Sequence, residues 1–138
     1  MLNLRDDQMQ RLGEAGFSRR LAESLARHDT DFAAMAADAQ QAFVAAAIAQ
    51  ARQVGFRTEQ GIAGYALGAL WLGVGFEQAQ PLLLRVLQGP LPEVRRVHAL
   101  GEWVHDQLGP AATPASGEAA LRRSFELTQP WGLQGGQR

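Results

Sequence analysis

"GIAGYALGALWLGVGF", residues Gly61 to Phe76, contains five glycines and no charged side chain, and its reading decides the fold. Counted from Gln60, the uncharged run is 17 residues long between Glu59 and Glu77. That falls short of the roughly 20 apolar residues a membrane-spanning helix needs. No strand precedes the run, and its glycines lack the spacing of a dinucleotide-binding fingerprint. A buried helix in a globular core satisfies both constraints. Thr58 supplies an N-cap hydroxyl, Glu59 sits at the positive end of the helix dipole, and Gly73 and Gly75 stop the helix. Ile62, Tyr65, Ala66, Ala69, Leu70 and Trp71 cover almost every angle around the axis, the pattern of a helix surrounded by others. Gly61, Gly64 and Gly68 each cost about 1 kcal/mol of helix propensity relative to Ala, which is tolerated where a neighbouring backbone approaches closely.

Outward from this segment, helical periodicity runs through the chain and strand alternation is nowhere convincing. The sequence predicts an all-α bundle of five or six helices around a central Gly/Ala-rich helix. Asn3 caps a first helix from Leu4 to about His28, with Gly13 and Gly16 as candidate breaks. The cluster Asp29-Thr30-Asp31 caps a second, in which Phe32, Met35, Ala39, Phe43, Ala47, Ala51 and Val54 recur at intervals of three and four before Gly55 ends it. After the central helix, Phe76 anchors a corner and Pro81 opens a short helix that ends at Gly89-Pro90. Pro92-Glu93 opens another, which runs to about Leu108 with the apolar stripe Val94, Val97, Gly101, Val104 and Leu108 facing the core. The domain is expected over residues 1–108 and a linker over 109–117 by composition. A short helix and tail follow over 118–138.

With 138 residues the chain is expected to form one domain. Its formal charge is −1 and all 13 basic residues are arginines, interleaved with acids, which argues against nucleic-acid binding. The absence of cysteine removes disulfides, thiolate catalysis and Cys-ligated metals. The absence of lysine removes Schiff-base and P-loop chemistry. The acidic start "MLNLRDDQMQ" is unlike a secretory signal, so a cytoplasmic protein without membrane insertion is expected. The serines match no nucleophile-elbow pattern, and the pairs Asp6-Asp7 and Asp29-Asp31 fall at helix starts, where capping accounts for them. His98, Glu102 and His105, at i, i+4 and i+7, share one side of a helix as three potential metal ligands. They lack an identifiable fourth, so no metal, no cofactor and no catalytic residue is expected.

The positive signal is one of interaction. Trp103 lies off the apolar stripe of its helix with Arg96 as its angular neighbour, a composition common in binding hot spots. Trp103, Arg96 and Trp131 are therefore the candidate partner-binding residues. The competing expectation is that the C-terminal helix, through Leu121 and Phe125, or the tail, through Trp131, covers Trp103.

Gly55-Phe56-Arg57-Thr58-Glu59 before an apolar helix, then Leu72-Gly73-Val74-Gly75-Phe76 and Pro81, resembles a family of small helical proteins of Gram-negative bacteria. These are encoded beside type VI secretion spike and effector modules. The likeness covers roughly residues 4–108, and such relatives would carry a polar or acidic residue at Gly61. The resemblance implies a non-enzymatic accessory: an adaptor, chaperone or co-chaperone that binds an effector, its loading factor or a spike component. The alternatives are an immunity protein that neutralises a toxin effector and, less favoured, a metal-dependent enzyme built on His98, Glu102 and His105.

Overall fold

Local capping chemistry sets several helix boundaries. The computed structural model describes the backbone of residues 2–128 and the side chains of residues 13–124. Seven helices follow one another: α1 Leu2–His28, α2 Thr30–Ala33, α3 Ala37–Val54, α4 Glu59–Leu72, α5 Pro81–Leu87, α6 Glu93–Gln107 and α7 Pro114–Thr128. A 3-10 turn, Phe76–Ala79, precedes α5. The described residues contain no strand, and none of their helices is long and apolar enough to cross a membrane. The all-α architecture and the central α4 agree with the sequence, with one helix more than the upper expected count.

The Thr58 hydroxyl accepts from the Gly61 amide at 3.0 Å and so caps α4. Gly55, at φ 122°, ends α3, and Gly73, at φ 92°, ends α4, both in backbone conformations that side chains resist. Pro81 sits in the first turn of α5, where its missing N–H costs nothing.

Three boundaries differ from expectation. α1 begins at Leu2, so Asn3 lies inside it rather than capping it before Leu4, and it runs unbroken through Gly13 and Gly16 to bury Phe17, Leu21, Ala22 and Leu25. The alanine-rich segment divides at Ala34–Ala36 into α2 and α3. The Phe32 carbonyl, which a continuous helix would have paired with the residue-36 amide, accepts instead from the Met35 amide at 3.1 Å and from the Gln40 side chain at 2.8 Å. The break lets Phe32 enter the core out of phase with Val44, Ala47 and Ile48, and it leaves Met35 and Ala39 exposed. α7 begins at Pro114 rather than Glu118, because Thr113 and Ser116 cap it reciprocally. The Thr113 amide donates to Ser116 Oγ at 2.8 Å and the Ser116 amide donates to Thr113 Oγ1 at 3.0 Å.

α4 is the centre of the bundle, packed on α3 and α6 and touching α1, with Ile62, Tyr65, Ala66 and Ala69 fully buried. It is not enclosed on every side. Trp71 is 43 % exposed, and Gly64 and Leu67 on the same flank are half-buried.

Candidate functional site

α6 presents two chemically different faces, and their phase is the reverse of the expected one. Ala99, Leu100 and Trp103 face the core. Trp103 is 5 % exposed. Its ring stacks on Phe76 at 5.8 Å, and Phe76 in turn stacks on Tyr65 at 5.2 Å. α7 crosses over the indole through Gly117, where a Cβ atom would lie 2.7 Å from Trp103 Nε1. The C-terminal helix thus covers Trp103, with Leu121 buried beside it in the core.

Arg96 is also interior. Its Nε donates to the Leu91 carbonyl at 2.9 Å, and its Nη1 donates to the Leu87 carbonyl at 2.8 Å and more weakly to that of Gly55 at 3.4 Å. The guanidinium sits 5.6 Å from the centroid of Phe56, whose ring is fully buried. Arg96 therefore ties the ends of α3 and α5 to α6. Of the residues expected at a partner face, Trp103 belongs to the core, Arg96 is half-buried against it, and Trp131 lies outside the described residues.

The stripe expected in the core borders solvent instead. Val94 is 63 % and Leu108 48 % exposed, Gly101 is exposed and Val97 half-buried, while Val104 alone is fully covered. Between this stripe and the open flank of α4 lies an apolar groove of about 400 Å³. Its floor forms where Val97 packs on Gly64 and Val104 on Gly68. A Cβ at either glycine would come within 3.1 Å of the valine methyl. Trp71 and Leu108 stand at its edges, with His105 beside them. Gly101 opens into it with no atom near its missing Cβ. The signal for the groove was in the sequence, as the 3-4 spacing of the Val94–Leu108 stripe. Trp71 carries no such signal, because its place in the uncharged run reads as core.

The buried polar groups hold the fold together. Glu77 is fully buried, and its carboxylate accepts from Tyr65 Oη and Gln50 Nε2, both at 2.6 Å, and from Gln78 Nε2 at 3.0 Å. Burial pushes this carboxyl up, but the three donors outweigh it and hold the group below the ordinary carboxylate range. Burial and the bond to Glu77 together push the Tyr65 phenol well above its usual range. The Tyr65 oxygen also accepts from the Gly75 amide at 2.9 Å, so the corner after α4 is fastened to α4 and α3. Glu93 plays the same part at the other end of α4. It accepts from the amides of Arg57 at 2.9 Å and Thr58 at 2.8 Å and from the Thr58 hydroxyl. Burial raises its carboxyl, but these donors and the Arg96 charge hold it low. A Cβ at Gly61 would collide with the Glu93 carboxylate, so the glycine makes room for an acid supplied by α6.

His98, Glu102 and His105 are all exposed on the outer side of α6. The described residues contain no group of three or more His, Cys, Asp or Glu arranged to hold a metal ion. Compared with protein families, curated proteins and solved structures, the chain has no significant match.

Proposed function

We propose that this chain is a non-enzymatic protein-binding accessory whose partner docks in the groove between α4 and α6. The observation that carries it is the exposure of Gly101 and Leu108 in one groove with the exposed Trp71. Residues 94, 97, 101, 104 and 108 alternate spacings of three and four, the repeat by which one helix accepts another, over about 21 Å of axis. An amphipathic helix laid in a groove is the recognition mode that such a surface serves. The Gly55–Glu59 and Leu72–Phe76 motifs support assigning the partner to a type VI secretion effector module. It would be an effector, its loading factor or a spike component, met in the bacterial cytoplasm.

The test is co-purification of the module's proteins with the wild-type chain, Gly101→Leu and Trp71→Ala. Gly101→Leu directs a side chain into the groove from a position where its Cβ meets no atom, so it should abolish capture, and Trp71→Ala should weaken it. Undiminished capture by both would remove the groove from consideration. Deletion in the host should abolish effector delivery. Self-intoxication of the deletion strain would instead identify an immunity protein.

A further inference from the structure

A second concavity differs in chemistry from the groove. It lies between α5 and α7, has a volume of about 350 Å³, and is floored by Leu82, Val86, Leu91 and Leu121. Two arginines line it, Arg85 from α5 and Arg122 from α7, and no acidic side chain does. Arg20, Arg52 and Arg96 spend their guanidiniums on links within the fold: Arg20 pairs with Glu59, Arg52 with Glu14, and Arg96 with three carbonyls. Arg85 and Arg122 are exposed and have no ion pair or hydrogen bond among the described residues. Two guanidiniums from different helices, without a partner among the described residues and set over an apolar floor, offer planar donor forks for a carboxylate and a dry surface for what it is attached to.

We propose that this pocket docks an acidic, apolar peptide segment of a partner protein. A Glu or Asp carboxylate meets Arg85 and Arg122, and a neighbouring Leu or Phe side chain covers Leu82, Val86 and Leu121. The pocket is too small for a whole helix and suits one or two large side chains. The groove between α4 and α6 has no arginine in its lining, so the two surfaces select different segments. The pocket stands independently of the groove.

The experiment is a titration of the ¹⁵N-labelled full chain with Ac-Leu-Glu-Phe-Leu-Glu-NH2 and, separately, with Ac-Leu-Lys-Phe-Leu-Lys-NH2. The acidic peptide should shift the Gly89, Leu91 and Leu121 amides saturably, and the basic one should not. The double variant R85E/R122E keeps the apolar floor. It should bind the acidic peptide about tenfold more weakly and gain affinity for the basic one, with an unchanged melting temperature. Gly101→Leu should leave the titration unaltered. Equal shifts by both peptides, shifts confined to other residues, or acidic preference surviving the charge reversal would each overturn the proposal. So would saturable binding of sodium laurate with none of either peptide, which would identify a free amphiphile as the ligand.

Discussion

One face of α6 buries a tryptophan and turns an arginine inward, while the other leaves two valines, a glycine and a leucine at or near the solvent. By side-chain polarity alone the assignment would be reversed. The difference shows that burial is decided by whether a neighbour can satisfy the group. Arg96 is interior because its donors find the carbonyls of Leu87 and Leu91, with that of Gly55 at longer range, and its plane finds Phe56. Trp103 is interior because Phe76 stacks on one side and the side-chain-free notch at Gly117 admits α7. Of the Val94–Leu108 stripe, α4 covers Val104 and part of Val97, and no second described helix is seated over Val94, Gly101 and Leu108.

The comparison breaks most readily at Trp103. Trp103→Ala removes the end of the ring stack and should cost about 3–5 kcal/mol in urea unfolding. A cost under about 1 kcal/mol would mean that the inner face is not core. Arg96→Ala leaves buried carbonyls without donors and should cost about 1–3 kcal/mol, with Arg96→Lys recovering only part, since a single ammonium cannot reproduce the fork.

Glu77→Gln keeps the shape but sets an amide donor against Gln50 or Tyr65, for about 1–3 kcal/mol. It also tests the pH dependence. Glu77 and Glu93 are held below the ordinary carboxylate range when folded, whereas an unfolded glutamate titrates near about 4.3. Their contribution is fully present above that value and is lost as the pH falls through the lower folded values. The urea midpoint should therefore fall steeply below about pH 4, and less steeply in Glu77→Gln.

Two glycines sharpen the contrast with opposite signs. Gly101→Ala on the outer face meets no atom and should stabilise the chain by about 1 kcal/mol through helix propensity. Gly117→Ala on the inner side drives a methyl into Trp103 and should destabilise it. The smallest effect is expected for Val94→Ser, within about 0.5 kcal/mol, because the site is already wet.

Features governed by a few consecutive residues were legible in the sequence. The Thr58 cap, the stops at Gly55 and Gly73 and the start at Pro81 each depend on local dihedral angles and one nearby bond. The Thr113–Ser116 cap was equally local and was masked by the Pro/Gly/Ala composition around it. The phase of α6 was not legible. Its 15 residues carry two apolar surfaces, Val94–Leu108 and Ala99–Leu100–Trp103, and the choice between them is made by α7 and by the carbonyls that receive Arg96. The α2–α3 break was hidden for a similar reason, since alanines favour helix through Ala36 and only the packing of Phe32 argues against it. The groove lies between a helix whose enclosure the sequence overstated and one whose face it inverted.

Glu93 completes the start of α4 from 35 positions further along the chain. While a ribosome is still extending the polypeptide past Gly73, the Arg57 and Thr58 amides must therefore rely on water. The first turn of the central helix gains its final partners only when α6 has emerged. Maturation of the bundle thus waits on its second half, and a nascent chain halted before residue 93 would hold α4 with an unfinished end.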